Sequence, residues 1–164
     1  MVKRTLGGLD LTFMMEPGRM IAGNAGILVA RVIYMKEGDG RNFVVTDAAM
    51  NDLIRPTLYD AYHEMQLVKE PDENAPTIQA DIVGPVCETG DYLAQQRELP
   101  AVEAGDLIAV LTAGAYGAVQ SGTYNTRPLI PEVMVNEDRF AIVRPRQTYE
   151  QLIGLDRLAE WQIR

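Results

Sequence analysis

Short apolar runs, each closed by Gly, Pro, Asn or Asp residues, dominate the pattern of hydrophobic and polar positions along the chain. Runs of this length that are rich in β-branched residues are typical of strands rather than helices. The pattern predicts seven strands, over residues 9–15, 27–36, 42–47, 77–83, 107–111, 131–135 and 139–143. The turn at 37–40 (Glu-Gly-Asp-Gly) joins the second and third of these into a predicted hairpin.

Helical signals are few. Thr148 and Gln151 have the spacing of a capping box and predict a terminal helix that continues through Leu158. One further helical turn is predicted over 49–55, ended by Pro56. Many closely spaced strands with so little helix favour a mainly β fold, a Greek-key-like barrel or sandwich with a short C-terminal helix.

Length and composition narrow the classes of function. The 164 residues suit one domain and are too few for a complete eight-fold α/β barrel, which needs about 250 residues. A net charge of −8 disfavours nucleic acids and anionic membranes as partners. One cysteine and one histidine exclude an internal disulfide and a Cys/His zinc site, and no apolar run is long enough to cross a membrane. We therefore expect a cytoplasmic protein without a metal.

Two polar segments could bind charged ligand groups. Glu16 and Arg19 flank Pro17-Gly18 directly after an apolar run, where a carboxylate and a guanidinium could face a cofactor, although a plain turn with a surface ion pair would have the same sequence. Arg55 and Tyr59 could clamp a carboxylate through a bidentate fork and a hydroxyl donor. A half-buried tyrosine beside a solvated arginine is the structural alternative. For His63, which follows, the structural role is favoured, because a lone histidine is usually structural.

Two further segments could act on a ligand. The thiol of Cys87, beside Glu88 on a loop bounded by glycines, could donate a proton, although a free cysteine is also common as a small buried apolar residue. Tyr116 stands among Gly114, Ala115 and Gly117, small residues that would let a flat ligand approach the backbone. Tight backbone packing would explain the same glycines.

Taken in order, these segments resemble the C-terminal part of the diaminopimelate decarboxylases, over about residues 5–161. These are pyridoxal-phosphate enzymes of the alanine-racemase-like fold (fold type III), which convert meso-2,6-diaminopimelate to L-lysine and CO2. The Cys87-Glu88 pair and the run from Arg55-Pro56 to Tyr62-His63 are fairly specific to this family. The resemblance also includes the segment at 47–51 (Asp-Ala-Ala-Met-Asn), Gly84-Pro85-Val86 and Asp91. Glu-Pro-Gly-Arg at 16–19 is shared with ornithine and arginine decarboxylases.

The resemblance implies a set of roles around the cofactor. Glu16 would pair with the ring nitrogen of pyridoxal 5'-phosphate and keep it protonated, so that the ring can absorb the electron pair left by decarboxylation. Gly18 and Arg19 would lie at the cofactor, with Arg19 beside its phosphate and also near the substrate. Tyr116 would touch both cofactor and substrate.

The resemblance also implies residues for the substrate. Arg55, Tyr59 and Glu88 would hold the distal amino-acid end of diaminopimelate, the first two at its carboxylate and Glu88 at its ammonium group. Cys87 would return a proton to the α-carbon after CO2 leaves. In the family the Cys-Glu loop enters the site of a partner subunit, which implies a homodimer with shared sites.

Two parts of the family pattern have no counterpart in this sequence. None of the three lysines, Lys3, Lys36 and Lys69, lies in a segment matching the lysine that holds the cofactor as an imine, and the Gly-rich phosphate loop is missing. We therefore expect residues 1–20 to be the last strand and approach of an α/β barrel and residues 21–164 to be a C-terminal β-barrel domain. Alone, this portion of a longer enzyme is expected to be inactive.

Two alternatives remain open at this point. A related decarboxylase of ornithine, arginine or carboxynorspermidine would share the fold, but its substrate lacks the distal carboxylate, so a clamp of Arg55 and Tyr59 would serve it less well. A β-barrel binding module without catalytic activity would leave the same residues idle.

Overall fold

The computed structural model describes residues 2–72 and 74–163, and over these residues it is mainly β. The strands within this range are β1 (Leu28–Gly38), β2 (Arg41–Thr46), β3 (Met65–Leu67), β4 (Thr77–Val83), β5 (Tyr92–Pro100), β6 (Leu107–Val110), β7 (Glu132–Asn136) and β8 (Arg139–Arg144). Six of the predicted strands are confirmed within a few residues at each end, and the mainly β fold class is confirmed with them.

The first six strands form one sheet in the order β3-β6-β1-β2-β4-β5. Neighbouring strands are antiparallel except β2 and β4, which are parallel. The two edge strands, β3 and β5, approach each other, so the sheet curls into a nearly closed barrel. Inside it lies a continuous apolar core, which includes Val32, Val44, Leu53, Ile82, Leu93, Ile108 and Val110.

The strand β1 shows why this sequence forms a barrel wall. Leu28, Ala30 and Val32 alternate inward into the core, whereas Val29 and Arg31 point outward. The chain then reverses through the predicted hairpin, with a two-residue turn at Asp39-Gly40 between the paired residues Gly38 and Arg41. Gly40 has a φ of +73°, a value that glycine adopts without a steric cost.

Helices are short throughout the described residues: α1 (Val2–Leu6), α2 (Arg19–Ala22), α3 (Arg55–Tyr59) and α4 (Tyr149–Ile153). Short 3₁₀ turns lie at Gly23–Ala25, Ala118–Gln120, Tyr124–Thr126 and Glu160–Gln162. Within this described part of the chain, no helix has the length and apolar character needed to span a bilayer.

The predicted strand at 9–15 is wrong for this chain. Residues 9–18 form no regular element, and the apolar side chains in this stretch, such as Leu11 and Met14, are exposed. Apolar character creates a strand only where a neighbouring strand accepts its hydrogen bonds, and no described residue pairs with this segment.

The helix predicted over 49–55 is wrong in its position, and the terminal helix needs correction at one end. Residues 49–54 contain only a turn at 50–52, and α3 begins at Arg55, with Pro56 in its first turn, where a residue needs no N–H donor. The capping box of Thr148 and Gln151 is confirmed, but α4 ends at Ile153 instead of continuing to Leu158. The exposed side chains of Leu155 and Leu158 have no core to pack against, so nothing extends the helix.

The pattern missed β3 and β5. In β5 the apolar Leu93, Ala94 and Leu99 are buried, but between them the chain is polar and irregular. Gln96 adopts a φ of +47°, and its N–H donates to the buried Asp81 carboxylate at 2.7 Å. This irregularity breaks the two-residue period on which strand prediction depends.

Candidate functional site

Close backbone packing brings the loop after β6 against α2. The N–H groups of Ala113 and Gly114 donate to the carbonyl oxygens of Gly26 and Gly23 at 2.8 and 3.0 Å. A Cβ atom on Gly114 would lie 2.2 Å from the carbonyl oxygen of Ala22. The glycine at 114 is therefore explained by packing against another backbone segment, the second of the two explanations that the sequence left open.

This packing places Tyr116 beside Gly18. A Cβ on Gly18 would stand 3.0 Å from the Tyr116 hydroxyl oxygen, so any larger residue would crowd the ring. Tyr116 itself has a φ of +59°, which turns its side chain out of the loop and leaves it 44% exposed. Two segments almost a hundred residues apart in sequence thus meet at one surface.

Arg55, at the start of α3, lies between two tyrosines. Its guanidinium carbon is 5.7 Å from the ring centre of Tyr59, one helical turn later, and 6.0 Å from that of Tyr116. These distances are within the range of cation–π attraction, which orients the guanidinium without using its N–H donors. The Nε atom of Arg55 is buried and has no hydrogen-bond partner.

Arg19, at the start of α2, approaches the same place. Its Nη2 donates to the carbonyl oxygen of Thr112 at 3.4 Å, while its Nε is also buried without a partner. Among the residues that the structure describes, neither Arg19 nor Arg55 forms an ion pair with a carboxylate. We call the group of Gly18, Arg19, Arg55, Tyr59 and Tyr116 the arginine cleft.

His63 lies buried beside the arginine cleft, with only 1% of its surface exposed. Its Nδ1 is 2.9 Å from the carbonyl oxygen of Leu111, and its Nε2 is buried without a partner. Burial lowers the pKa of His63, the hydrogen bond to Leu111 opposes this, and the positive charges of Arg55, Arg19 and Arg97 lower it further. The imidazole is therefore neutral at pH 7.

The loop of Cys87 and Glu88 is held in place by the buried carboxylate of Asp91. Its two oxygens accept hydrogen bonds from the N–H groups of Met50 and Val86 at 2.7 and 2.6 Å. A Cβ on Gly84 would lie 2.5 Å from this carboxylate, so a glycine is needed there. Cys87 itself is exposed, which excludes the buried apolar role for its thiol.

Glu88 borders a mostly apolar depression of about 330 Å³ next to this loop. The hydroxyl of Tyr124 donates to one Glu88 carboxylate oxygen at 3.3 Å. The rest of the lining consists of Met50, Asn51, Ile54, Gln120 and Gly122. The Glu88 carboxylate is thus presented at the rim of a cavity, where it can accept a hydrogen bond from a cation.

The structure brings together some of the predicted site residues and separates others. In the group named the arginine cleft, Tyr116 contacts both Gly18 and Arg55, Arg55 contacts Tyr59, and Arg19 acts electrostatically on the same histidine as Arg55. No hydrogen bond, ion pair or ring contact among the described residues connects Cys87 or Glu88 to that cleft. Glu16 is exposed on the irregular segment before α2, without a hydrogen bond or ion pair to another described residue.

Sequence reasoning missed two arginines that shape this region. Arg97 of β5 stacks on Tyr62, with its guanidinium carbon 4.0 Å from the ring centre. Arg127 donates through Nε to Asn51 at 3.1 Å and pairs with the buried Asp52 carboxylate at 3.5 Å. Burial raises the pKa of Asp52, which the Ala49 N–H and the Arg127 charge oppose.

One signal could have found Arg127. A carboxylate as deeply buried as that of Asp52 needs a cation or N–H donors, so a search for its partner would have pointed to an arginine elsewhere in the chain. The sequence does not say which arginine, because the two residues are 75 positions apart.

The cleft has donors for a phosphate or a carboxylate, but neither lysine whose side chain the structure describes contacts it; the Lys3 side chain lies outside the described part. The unpartnered Nε of Arg19 fits an anionic group of pyridoxal phosphate, and the exposed Glu16 carboxylate could pair with a ring nitrogen. Lys36 and Lys69 are exposed on β1 and in the loop after β3. In the described part of the chain, no three His, Cys, Asp or Glu side chains cluster as metal ligands.

Comparisons with known proteins agree on the family. The model of the pyridoxal-dependent decarboxylase C-terminal sheet domain matches residues 13–114. The diaminopimelate decarboxylase of Zymomonas mobilis is 51% identical over 161 residues, which are 98% of this chain and 38% of that protein. The diaminopimelate decarboxylase of Neisseria meningitidis serogroup A is 49% identical over 92% of this chain and 36% of its own length.

Solved structures show the same relation. The crystal structure of Helicobacter pylori diaminopimelate decarboxylase complexed with L-lysine superposes with a TM-score of 0.80 and 40% identity, over 94% of this chain and 37% of that one. The arginine decarboxylase of Paramecium bursaria Chlorella virus, at 21% identity and a TM-score of 0.64, shares the fold.

The present chain therefore spans somewhat more than a third of the length of the relatives it matches. The family model covers more than half of its residues, and that match includes both arginines of the cleft and the Cys87-Glu88 loop. The chain belongs to the C-terminal sheet domain family of the pyridoxal-dependent decarboxylases.

Proposed function

We propose that this chain is the C-terminal portion of a diaminopimelate decarboxylase, which converts meso-2,6-diaminopimelate to L-lysine and CO2 with pyridoxal 5'-phosphate. The observation that carries the proposal is the position of Arg55 between Tyr59 and Tyr116, with a buried Nε–H that has no partner. Such a donor group is ready for a carboxylate. Diaminopimelate has a distal carboxylate, which ornithine, arginine and carboxynorspermidine lack. A carboxylate clamp therefore favours diaminopimelate as the substrate.

The charge of the cleft supports an anionic ligand group. Arg19 and Arg55 contribute two guanidinium charges, the nearby His63 is neutral, and no ion pair among the described residues joins either arginine to a carboxylate. Burying part of a guanidinium group without a counter-ion costs free energy, and a bound anion lowers that cost. Arg55 and Tyr59 would hold the distal carboxylate of the substrate, and Arg19 would lie between substrate and cofactor.

Three residues would hold the cofactor. Arg19 would donate to its phosphate, Tyr116 would pack beside it in the space that Gly18 leaves, and Glu16 would keep its ring nitrogen protonated. When bound, pyridoxal phosphate supplies an electron sink for the pair left on the α-carbon after CO2 departs. The residues of this chain would bind the substrate and the cofactor and orient them for that step.

Cys87 and Glu88 would act in a second copy of the protein. The exposed thiol would donate the proton that the α-carbon needs, and Glu88 would accept from the distal ammonium group. Because neither residue is connected to the arginine cleft of its own chain, a homodimer that exchanges this loop would complete both sites. A proton-donating thiol must stay reduced, which makes the cytoplasm the proposed compartment.

Residues 1–20 would belong to a different domain from residues 21–164. The irregular, exposed segment at 9–18 carries Glu16 and Gly18, so it contributes to the cleft although it pairs with no strand of the barrel. The proposal is that this segment completes an α/β barrel that also supplies the cofactor lysine and phosphate loop. The 164-residue chain by itself would then release no CO2 from meso-diaminopimelate.

A domain replacement tests the proposal. The matching 161-residue part of the Zymomonas mobilis enzyme is exchanged for this chain, and CO2 release is measured with meso-diaminopimelate, ornithine and arginine. We expect turnover of meso-diaminopimelate by the chimera and none by the isolated chain with added pyridoxal phosphate. Arg55→Met in the chimera should lower kcat/KM roughly a hundredfold, the cost of leaving a bound carboxylate unpaired.

Arg139→Met is the matched control, because it removes the same charge from an exposed position on β8 and should leave kcat/KM unchanged. A chimera that prefers ornithine or arginine would support the related decarboxylases instead. A chimera that folds, binds the cofactor and decarboxylates none of the three would support the non-catalytic binding module.

A further inference from the structure

The exposed residues 87–89, which we call the loop tip, carry the thiol and the carboxylate proposed to act in a partner's site. The two ends of the loop tip are anchored differently. On one side, the buried Val86 donates its N–H to the Asp91 carboxylate at 2.6 Å. On the other side, the carbonyl oxygen of Gly90 accepts a hydrogen bond from the Thr57 hydroxyl. The second anchor therefore ties the loop tip to α3, the helix that also carries the proposed carboxylate clamp.

Both branches of the Thr57 side chain contact Gly90. The hydroxyl donates to the Gly90 carbonyl oxygen at 2.5 Å, and a Cβ added to Gly90 would lie 2.7 Å from the Thr57 methyl carbon. The other atoms near that Cβ position, on Glu88 and Met50, are 3.9 Å away, which is an ordinary contact distance. Gly90 is not left-handed, so the threonine methyl group is what leaves no space for a side chain there.

Gly90 also contacts the Glu88 side chain. Its N–H donates to Glu88 Oε1 at 3.4 Å, and the Tyr124 hydroxyl donates to Oε2 at 3.3 Å. Both hydrogen bonds are long and therefore weak, so neither fixes the carboxylate unless its donor is itself held in place. The position of the Glu88 carboxylate thus depends on the anchoring of Gly90 by Thr57.

The two sides of α3 serve different groups. Arg55 and Tyr59 are four residues apart and share one face, with the guanidinium carbon 5.7 Å from the Tyr59 ring centre. Thr57 lies midway between them, and two residues turn an α-helix by about 200°, so Thr57 lies on the opposite side. One short helix therefore presents the proposed carboxylate clamp on one face and the anchor of the loop tip on the other.

We infer that Thr57 is a positioning residue for the proposed proton donor and ammonium acceptor: through Gly90 it fixes the loop tip against α3. This inference rests on the proposed function. With the loop exchanged in a homodimer, α3 of each chain supports parts of two sites, the carboxylate clamp of its own site and the loop tip in its partner's. Thr57 acts through the loop alone, by raising the fraction of time for which Cys87 and Glu88 are correctly placed.

The first test measures the order of the loop tip by ¹⁵N relaxation of the 164-residue chain. Thr57→Val replaces the hydroxyl by a methyl group of similar size, whereas Thr57→Ser keeps the donor. We expect backbone order parameters of about 0.8 in the unmodified chain and in Thr57→Ser, and of about 0.6 or less in Thr57→Val. Thr77→Val, the same change at an exposed position on β4, should leave them unchanged. A loop tip that is mobile in the unmodified chain, or ordered in Thr57→Val, would overturn the inference.

The second test addresses the methyl contact with a pair of substitutions. Gly90→Ala should mobilise the loop tip as Thr57→Val does, because the added methyl group and the Thr57 methyl group cannot both keep their positions. Combining Gly90→Ala with Thr57→Ser should restore the order, because serine lacks the methyl group but keeps the hydroxyl. An effect of Gly90→Ala that persists in the double variant, or no effect at all, would count against the contact.

The third test uses the chimera and steady-state kinetics with meso-diaminopimelate. Thr57→Val should lower kcat roughly fivefold to tenfold, the value of one hydrogen bond, and change KM by less than about twofold, because Arg55 and Tyr59 are intact. Thr57→Ser should recover most of kcat, and Thr77→Val should behave like the unmodified chimera. Equal losses in the two Thr57 variants, or a change in KM larger than that in kcat, would contradict a positioning role.

The two proposals fail in different ways. A chimera without turnover of meso-diaminopimelate would count against the proposed function, whatever the loop tip does. The order parameters of the 164-residue chain, and their recovery when Gly90→Ala is combined with Thr57→Ser, would still decide whether Thr57 fixes the loop tip.

Discussion

His63 and Cys87 show how burial decides what a single reactive side chain can do. The imidazole is buried, and burial together with the charges of three arginines lowers its pKa, so it stays neutral, with Nδ1 donating to Leu111. The thiol is exposed on a loop that Asp91 holds in place, so it remains free to meet a partner. The sequence marked Cys87 as a candidate and favoured a structural role for His63, but the environments of both come from residues far away in the chain.

The buried neutral state of His63 predicts a pH dependence of stability. Because its pKa is lower in the folded than in the unfolded chain, the unfolded state binds the extra proton first as the pH falls below about 6.5. The free energy of unfolding should then decrease, by at most about 1.4 kcal/mol per pH unit. Urea unfolding at pH 7.5, 6.5, 6.0 and 5.5 measures this slope.

His63→Gln is the control for that measurement, since glutamine does not titrate. Its free energy of unfolding should vary less over the same range, because the carboxyl groups of the chain titrate mainly below about pH 5. Parallel slopes for the two proteins would show that His63 is charged in the folded state or exposed in solution.

At the scale of elements, close contacts between segments determine where the cleft forms. The strands of the barrel carry the predicted alternation, but the cleft is built where the loop after β6 packs on α2 through Gly114 and Gly26. The same loop carries Tyr116, and α2 carries Arg19. The position of these side chains therefore depends on the separation of two backbones rather than on the strands themselves.

Gly114→Ala tests this dependence. The added methyl group would lie 2.2 Å from the Ala22 carbonyl oxygen, so the loop and α2 must move apart. We expect the free energy of unfolding to fall by roughly 2–3 kcal/mol, in the range of overpacked sites. Chemical denaturation measures the loss, and the Arg19 and Arg55 Nε–H signals should shift with it.

Gly122→Ala is the matched control, because no atom lies within 4 Å of a Cβ there and the backbone is not left-handed. It should leave stability unchanged or raise it by up to about 1 kcal/mol. Similar losses for the two alanine variants would mean that glycine flexibility, rather than the close approach, accounts for the effect.

At the scale of the whole molecule, much apolar surface lies outside the barrel. The β7–β8 hairpin exposes Val133, Val135, Phe140 and Ile142, each by half or more of its surface. Monomeric proteins rarely expose a contiguous apolar patch of this kind. The chain in isolation is therefore expected to associate through this hairpin.

The pair Val135 and Phe140, which are directly opposite in the β7–β8 register, is the place to test association. Val135→Lys combined with Phe140→Glu keeps a favourable cross-strand pair while it removes the apolar surface. Sedimentation velocity at increasing concentration should show association of the original chain and a smaller average mass for the double variant. Val119→Lys changes an exposed apolar residue outside the hairpin and should associate like the unmodified chain. Equal average masses for the unmodified chain, the double variant and Val119→Lys would exclude the hairpin as the contact.

The sequence by itself determined the strands whose apolar residues alternate without interruption, the capping box at Thr148, and the identity of Arg19, Arg55, Tyr59 and Tyr116 as site candidates. Each of these depends on local periodicity or on a recognisable motif. The sequence did not determine β5, where a bulge interrupts the alternation of apolar and polar residues. It also did not determine the absence of a strand at 9–15, because pairing there depends on a neighbouring strand.

Only the tertiary structure decided which candidates meet. Arg55 and Tyr116 are brought together by backbone packing between segments distant in sequence, and His63 is held by the Leu111 carbonyl oxygen of the segment that leads to Tyr116. Cys87 and Glu88, which the motif places in the same site, are held on another loop by Asp91. The physical reason is that local patterns set the conformation of a segment, whereas contacts between distant segments set the distances on which binding and catalysis depend.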